Sequence, residues 1–275
     1  MTNIILIGAG NMGFAMLRKW APRAAGAITV IEPNDHARQR VRELGAIAYA
    51  SITDMPDEIE AQLVVVATKP RFVGDAIANC CRYISPDGMF MSVAAGVTLA
   101  EMARNLAKPT ALIRCMPNTP VSIGEGMIVC CVNQFVTDDH RYLATRLLST
   151  LGLVSIVEDE SIMDSVTAVS GSGPAYVFYF IEALQKGGIE AGLPDDLALL
   201  LAKQIVYGAA LLARDSDLLP STLIAQVTSP NGTTEAAMTV LRSRGRSLAQ
   251  IISEAVAAAK QRSAELGAGA PQMYA

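Results

Sequence analysis

The feature that most constrains the fold is a glycine motif near the start of the chain. The apolar run IILI at residues 4–7 leads directly into GAGNMG at residues 8–13, and the apolar-periodic segment FAMLRKW follows. In this setting Gly8 permits a tight turn, Gly10 lets the backbone approach a pyrophosphate, and Gly13 allows a helix to pack closely on a strand. The free N–H groups at the helix start suit a negative charge. The motif therefore predicts a dinucleotide site, with a purely structural glycine turn as the alternative.

Beyond this motif, the first 160 residues alternate short β-branched runs with segments of helical length. The runs lie at residues 4–7, 28–31, 63–67, 89–93, 111–115, 127–132 and 153–157. This alternation is typical of βαβ units around a mainly parallel sheet. From about residue 161 the runs stop, and Ala/Leu-rich patterns predict helices at residues 164–185, 194–214, 221–226, 234–243 and 248–266. Pro194 is expected in the first turn of its helix. The sequence predicts an α/β fold with a Rossmann-type dinucleotide-binding domain (1–160) followed by an all-helical domain (161–275).

Composition narrows the classes of partner. The formal net charge of -4 argues against binding to nucleic acid. Hydrophobic residues make up 51% of the chain, yet no uninterrupted apolar run approaches the roughly 18 to 20 residues of a membrane helix. Extra apolar surface in a soluble chain favours burial between subunits. We therefore expect no membrane partner and a homo-oligomer whose subunits bury this surface, with assembly beyond a dimer left open.

The cysteines and histidines point to a cytoplasmic protein without a metal site. The N-terminus lacks a basic segment and leads straight into the first predicted strand, so export is not expected. His36 and His140 lie in no motif, which disfavours Ser-His hydrolysis and histidine-rich metal sites. The cysteines are odd in number and lack C-x-x-C spacing, so reduced core thiols are expected, with a catalytic or metal-binding role as the alternative: Cys80, Cys81, Cys115, Cys130 and Cys131.

The residues after the second predicted strand bear on the choice of nicotinamide cofactor. An acidic residue there accepts hydrogen bonds from the adenosine ribose, whereas a basic residue pairs with the 2′-phosphate of NADPH. Here ITVI ends in Glu32, 19 residues beyond Gly13. The carboxylate repels a 2′-phosphate and favours NADH, but Arg38 lies one turn onward, within reach of a phosphate. The sequence leaves NADH and NADPH both open.

Further cofactor contacts are expected where two later strands end, because ligands of open α/β sheets bind at the carboxyl ends of the strands. LVVVA leads into Thr68, Lys69 and Pro70, and the next strand ends in SVAAGV at residues 92–97. Lys69 is expected at the rim of the cofactor crevice or, alternatively, in a solvated loop.

The chain has few histidines that could act as a strong acid, and this favours reduction of an imine over reduction of a carbonyl. Carbonyl reduction creates an alkoxide that needs a proton, whereas a protonated imine accepts hydride as a cation and becomes a neutral amine.

Three motifs of small residues remain: RCMPNTP (114–120), SGSGPAY (170–176) and TSPNGTTEAA (228–237). The last predicts a helix entry whose free N–H groups bind a carboxylate, with ordinary helix capping as the alternative.

Together these motifs resemble the pyrroline-5-carboxylate reductase family over nearly the whole chain. The resemblance rests on GAGNMG, TKP, SVAAGV, RCMPNTP, TAVSGSGPAY and VTSPNGTTEAA, in this order. It implies an oxidoreductase acting on a CH–NH group, which reduces the cyclic imino acid 1-pyrroline-5-carboxylate to L-proline with NADPH or NADH, the last step of proline biosynthesis. It also implies an active site between a Rossmann domain and helical domains interleaved in a dimer.

The resemblance also implies roles for single residues. Thr234 is the catalytic residue and binds the ring nitrogen. Ser229, with the backbone at Gly232 and Thr233, holds the substrate carboxylate, and Glu160 lies near the substrate. The cofactor-binding residues expected from the motifs and the resemblance are Gly8, Ala9, Gly10, Asn11, Met12, Gly13, Glu32, Ala67, Thr68, Lys69, Pro70, Ala95 and Gln226.

The chain departs from the family pattern at two places. Asn231 replaces the first glycine of the usual SPGGTT, and asparagine tolerates a left-handed backbone. Glu32 and Pro33 stand where the family often has Asn-Arg, which reads a 2′-phosphate. This second departure puts a preference for NADPH in doubt and leaves the predicted fold untouched.

Other interpretations stay open. A broader imine reductase is one. A β-hydroxyacid dehydrogenase has a similar architecture but carries a catalytic lysine on the first long helix of its second domain; here that helix has no lysine before Lys186. A redox sensor or scaffold would bind a dinucleotide without turnover, but the intact helix entry around Thr234 favours turnover.

Overall fold

The computed structural model describes residues 2–243, 245 and 247–267. By its internal contacts the chain divides into two units. The first comprises the described residues of Met1–Ser172 and Ala259–Ala275, and the second is Gly173–Ala258. The first unit contains an eight-stranded sheet, and the second is helical. The predicted α/β class, with a Rossmann-type part followed by helices, is confirmed.

The sheet has the strand order of a dinucleotide-binding fold. Its strands are β1 (Ile4–Ile7), β2 (Ile28–Ile31), β3 (Ile47–Tyr49), β4 (Ala61–Val66), β5 (Ile84–Ser92), β6 (Ala111–Met116), β7 (Gly126–Val132) and β8 (Gly152–Val157). They lie in the order β3-β2-β1-β4-β5-β6-β7-β8, and only the pair β6–β7 is antiparallel. The order reverses between β1 and β4, and ligands of such sheets bind beyond the carboxyl ends at this point.

Helices cover both faces of this sheet. Leu6 and Leu63 pack on one face with Met16 and Trp20, whereas Ile5 and Val64 belong to a second cluster on the other face. Because both faces are buried, the strands have continuous apolar sequences rather than alternating ones. The helices of this first part are α1 (Asn11–Ala24), α2 (Asp35–Glu43), α3 (Val73–Cys80), α4 (Leu99–Ala103), α5 (Asp138–Leu148) and α6 (Met163–Val166).

The second unit is built from helices with exposed apolar side chains. They are α7 (Gly173–Glu190), α8 (Asp195–Arg214), α9 (Pro220–Gln226), α10 (Thr233–Leu241) and the first part of α11 (Leu248–Gly267). Among the described residues, one helix, α8, is long and apolar enough by length and composition to cross a membrane. Soluble proteins contain helices of the same kind where a partner covers them.

Three local predictions were wrong. The strand β3 was missed. The helix predicted from residue 164 to 185 is interrupted by a π-helical turn, Thr167–Gly171, where the Met116 side chain occupies the space beside Gly171. Pro194, expected in the first helical turn, is instead the N-cap of α8, with an extended backbone at ψ 146°.

Candidate active site

The glycine turn between β1 and α1 is packed so tightly that side chains are excluded at two of its three glycines. Gly8 has φ +95°, and a Cβ there would lie 2.7 Å from the Ala67 carbonyl oxygen. A Cβ at Gly13 would lie 2.1 Å from the carbonyl oxygen of Gly8. The turn is therefore held against the end of β4, where the Ala67 N–H donates to the Ile7 carbonyl at 2.8 Å.

The third glycine borders open space. A Cβ at Gly10 would meet no atom of the described residues within 4 Å beyond its chain neighbours. The helix α1 begins at the next residue, Asn11, and has no acidic residue in its first turn. The free N–H groups of this first turn therefore border open space and have no carboxylate on their own helix to bind, which suits a pyrophosphate. The residues present fit the predicted dinucleotide.

A cavity of about 430 Å³ adjoins this turn on the side of β2. Its walls include Ala9, Gly10, Asn11, Glu32, Asn34 and Arg40. Glu32 is only 9% exposed, and its two carboxylate oxygens accept hydrogen bonds from backbone N–H groups: Oε2 from Ala9 at 2.7 Å and Oε1 from Asn34 at 2.9 Å. The structure thus places Glu32 beside the glycine turn.

The other cofactor residues predicted in the first unit follow two adjacent parallel strands. Ala67, Thr68, Lys69 and Pro70 come directly after β4, and Ala95 follows β5. The two segments are joined where the Val93 N–H donates to the Val66 carbonyl at 3.0 Å. Lys69 is exposed and Ala67 is half-buried. These positions lie at the carboxyl ends of strands, where the ligands of such sheets bind.

An ion-pair cluster around the buried side chain of Arg114 contains Glu160. Its Oε1 atom accepts hydrogen bonds from the Arg114 Nη1 atom at 2.9 Å and from the Leu99 N–H at 2.8 Å. The Arg114 side chain is 6% exposed, and its Nη2 atom lies 3.8 Å from Oδ1 of Asp164. The same Asp164 oxygen accepts from the Ser263 hydroxyl at 2.7 Å. At least one oxygen of Glu160 therefore holds the protein together rather than standing free for a ligand.

Sequence reasoning missed the partnership of two motifs. Asn118 of RCMPNTP donates from Nδ2 to the Ser170 carbonyl of SGSGPAY at 3.2 Å, and its Oδ1 accepts from the Met127 N–H at 2.9 Å. The Ser170 hydroxyl is buried and has no hydrogen-bond partner among the described residues.

For the ion-pair cluster around Arg114, the sequence did contain one signal. Arg114 is a charged residue within an otherwise apolar strand, and a buried charge requires a partner.

In the second unit the predicted helix entry is formed. Asn231 has φ +57°, the left-handed conformation expected for the residue that replaces a glycine, and its N–H donates to Oε2 of Glu235 at 2.7 Å. A Cβ at Gly232 would lie 2.3 Å from the Ser229 Oγ atom, so a side chain at position 232 would clash with Ser229. Gly232 is the N-cap of α10 and supplies no side-chain acceptor. First-turn N–H groups are therefore available to an anion.

The predicted site residues are divided between the two units. The glycine turn, Glu32, the segments after β4 and β5, and Glu160 belong to the first unit. Ser229, Gly232, Thr233 and Thr234 lie together at the start of α10 in the second unit, and Gln226 is the exposed last residue of α9. No group of three or more His, Cys, Asp or Glu residues that could hold a metal ion occurs among the described residues.

This fold and site define an oxidoreductase with a Rossmann-type dinucleotide domain and a separate helical part. Residues 3–96 match the family described as NADP oxidoreductase coenzyme F420-dependent, and residues 160–266 match the family described as pyrroline-5-carboxylate reductase dimerisation. The cofactor class is accordingly NAD(P)H.

Comparisons of whole chains narrow the class to one family. The chain is 34% identical to a pyrroline-5-carboxylate reductase of Pseudomonas aeruginosa, covering 96% of both chains, and 37% identical to one of Synechocystis, covering 95% and 97%. It is also similar to the structure of a pyrroline-5-carboxylate reductase from Coxiella burnetii, with 31% identity, a TM-score of 0.88, and coverage of 98% and 99%. The chain belongs to the pyrroline-5-carboxylate reductase family, as its motifs predicted.

Proposed function

We propose that the protein reduces 1-pyrroline-5-carboxylate to L-proline. When bound, NAD(P)H would supply a hydride to the carbon of the protonated imine, whose C=N π electrons would become the lone pair of the neutral amine. The observation that carries the proposal is the helix entry at residues 229–234, which offers an anion site and a hydroxyl in one short segment. A small cyclic imino acid carries one carboxylate and one ring nitrogen, which are the two groups that such a segment can bind.

The start of α10 serves as the carboxylate anchor. The Thr233 N–H and the Ser229 hydroxyl lie at the helix N-terminus, where a negative charge is stabilised. The Gly232 N–H donates to the Ser229 carbonyl at 3.1 Å and would share or exchange this bond when it binds the carboxylate. The left-handed turn at Asn231 keeps this loop compact, and the carboxylate of Glu235, in the first turn of α10, is bound to the Asn231 N–H. The anchor fixes the orientation of the substrate ring relative to the hydroxyl of the following residue.

Thr234 is the proposed catalytic residue. Its hydroxyl, one residue beyond the anchor, hydrogen-bonds the ring nitrogen and orients the imine. Because hydride addition to a protonated imine yields a neutral amine, no strong acid is needed at this position. A hydroxyl therefore suffices where carbonyl reduction would require a histidine or lysine.

The proposal also assigns roles to residues of the first unit. The cofactor contacts are those predicted from sequence, together with Gln226 of the second unit. Glu160 lies near the substrate and acts by holding the backbone at Leu99, which follows the segment containing Ala95. The long helix α7 carries Lys186 only near its end, where it pairs with Glu190 at 4.0 Å. This arrangement speaks against a lysine-dependent hydroxyacid dehydrogenase.

The assembly and location belong to the same proposal. The protein acts as a homodimer, which the match of residues 160–266 to a dimerisation family supports. That match begins at residue 160, which also supports a functional boundary between domains 1–160 and 161–275. The enzyme works in the cytoplasm as a soluble protein, and further assembly of dimers is compatible with its exposed apolar surface.

Substitution of Thr234 tests the mechanism. In Thr234→Ala, kcat for 1-pyrroline-5-carboxylate should fall by roughly 10² to 10³, the usual effect of deleting one positioned hydrogen-bonding group. Thr234→Ser should recover most of the rate, and the Kd of the cofactor should stay unchanged in both. The matched control is Thr239→Ala on the same helix, whose hydroxyl donates only to the Glu235 carbonyl, at 2.9 Å.

The assay follows oxidation of NADH and NADPH and identifies proline in the product. Wild-type turnover together with a normal rate in Thr234→Ala would remove Thr234 from the mechanism. A folded wild-type protein that binds cofactor but makes no proline would overturn the proposed reaction and favour another imine or a sensor.

A further inference from the structure

We infer that the dinucleotide site prefers NADH to NADPH, and that Glu32 sets this preference. The inference deepens the proposed function, because it names the cofactor for the same site. It rests on the contacts of the segment from Glu32 to Arg38, which the sequence alone left open.

Glu32 cannot readily turn away from the cavity. Its carboxylate lies between two segments of backbone, the glycine turn at Ala9 and the β2–α2 loop at Asn34, and accepts an N–H from each. Its own N–H donates to the Tyr49 carbonyl at 3.0 Å, which fixes the main chain. A 9% exposed carboxylate held in this way has few rotamers available to it.

The position of this carboxylate discriminates between the two cofactors. Glu32 directly follows β2 on the wall of the cavity beside the glycine turn. An acid at this point in the fold accepts from the ribose hydroxyls, and a carboxylate keeps lone pairs for that purpose after two hydrogen bonds. A 2′-phosphate would bring a second negative charge against this largely buried carboxylate. This electrostatic repulsion weakens the binding of NADPH and leaves the binding of NADH unaffected.

From the sequence, Arg38 was the candidate to bind a 2′-phosphate. In the structure its guanidinium binds groups of the protein instead. Its Nη1 atom donates to the Glu32 carbonyl at 2.7 Å and to the Pro33 carbonyl at 2.6 Å, and its Nη2 atom pairs with Asp35. The residue is 9% exposed. Arg38 therefore braces the loop that carries Glu32, and its guanidinium would have to abandon these partners to bind a phosphate.

Two other arginines line the same cavity, Arg18 and Arg40, together with His36. The Arg40 guanidinium lies 3.8 Å from the centroid of the Phe14 ring, in cation–π contact with α1. The variant Arg40→Ala tests whether Arg40 attracts a 2′-phosphate.

The test measures binding, independently of turnover. The Kd values of NADH and NADPH are determined by isothermal titration for the wild type and for Glu32→Gln. We expect the wild type to bind NADH at least about tenfold more tightly, and the substitution to narrow that ratio mainly by strengthening NADPH binding. Glu43→Gln, which removes an exposed charge on α2, should leave the ratio unchanged.

Each outcome either supports the inference or overturns it. A wild type that binds NADPH as tightly as NADH would overturn the preference, and loss of NADPH binding in Arg40→Ala would then identify the cation responsible. An unchanged ratio in folded Glu32→Gln would remove Glu32 as its cause. Should that variant unfold, Glu32→Asp keeps the charge and should retain the preference. Absence of proline formation with normal NADH binding would contradict only the proposed reaction.

Discussion

At the scale of single residues, burial controls the chemistry of the cysteines. Cys80, Cys115, Cys130 and Cys131 are buried and Cys81 is half-buried. Burial raises the pKa of the Cys80 thiol to about 12, and it also raises the pKa values of Cys81, Cys115 and Cys131. Thiols of this kind stay protonated near neutral pH and are poor nucleophiles and metal ligands. The expected core role of the cysteines agrees with these positions.

The raised pKa of Cys80 predicts a pH dependence of stability. Above about pH 9 the unfolded chain loses the thiol proton while the folded chain keeps it, so the free energy of unfolding falls as pH rises toward 12. The contribution is complete below pH 9 and declines by about 1.4 kcal/mol per pH unit above it. Cys80→Ala should lack this decline.

Urea unfolding of both proteins at about pH 8, 9.5 and 10.5 checks the prediction, because the difference between them cancels the titration of other groups. Cys81→Ala, at the neighbouring and more exposed position, serves as the control and should reduce the decline much less. A difference between wild type and Cys80→Ala that stays constant over this range would contradict the assignment.

The positions of the glycine turn and of Glu32 could be predicted from the sequence, whereas the contacts made by long side chains could not. The glycine turn and Glu32 follow from residue type and spacing alone, because only glycine fits the Gly8 and Gly13 contacts. Arg38 has enough rotatable bonds to reach either a ligand or the carbonyls behind it. Its choice depends on where the Glu32–Pro33 backbone lies, and that is a property of the folded loop.

At the scale of secondary-structure elements, the Arg114 cluster joins parts that are distant in sequence. Arg114 on β6 meets Glu160 before α6, Glu160 binds the start of α4 at Leu99, and Asp164 on α6 binds Ser263 on α11. Removal of the Glu160 charge would leave a buried guanidinium with only the longer contact to Asp164. We expect the cluster to matter more for stability than any exposed ion pair.

Glu160→Gln should lower the free energy of unfolding by about 1 to 3 kcal/mol, less than a fully buried pair would lose, because the Glu160 side chain is 29% exposed. The matched control is Glu158→Gln, whose 86% exposed side chain lies 3.8 Å from Arg141, and it should change stability by less than about 1 kcal/mol. Urea unfolding at neutral pH measures both. Equal effects of the two substitutions would rule out a special role for the cluster.

Elements with a strong apolar pattern were predictable, and those without one were not. All seven β-branched runs became strands: the inner ones are largely buried on both faces of the sheet, whereas the edge strand β8 is only partly covered, with Leu153 69% exposed. Strand β3 escaped notice because it has only three residues at the sheet edge, with Ile47 exposed. The π-helical turn at Thr167–Gly171 depends on packing against Met116, which no local pattern of small residues encodes.

At the scale of the whole molecule, the main unexplained feature is the apolar surface of the second unit. Phe178 and Tyr179 on α7 and Leu200 and Leu212 on α8 are each more than 60% exposed. Exposed surface of this extent marks an interaction site. A membrane would also accept α8 by its composition, but the match of residues 160–266 to a dimerisation family favours a second copy of the chain.

The dimer prediction can be tested on one face of α8. The wild type should have a mass in solution of about twice the 29.0 kDa chain or a multiple of that, whereas Leu200→Glu combined with Leu212→Glu should shift it toward 29.0 kDa. The expected cause is the cost of burying two unpaired carboxylates in the interface. Gln134→Glu adds a charge at an exposed position of the first unit and controls for charge alone.

Sedimentation equilibrium with a circular dichroism spectrum of each variant distinguishes dissociation from unfolding. A folded double variant with the wild-type mass would show that Leu200 and Leu212 lie outside the interface. Co-flotation of the wild type with neutral phospholipid vesicles would instead assign the apolar face to a membrane. Because the proposed substrate anchor lies in the same helical unit, we also expect the dissociated variant to lose proline formation while the first unit retains dinucleotide binding.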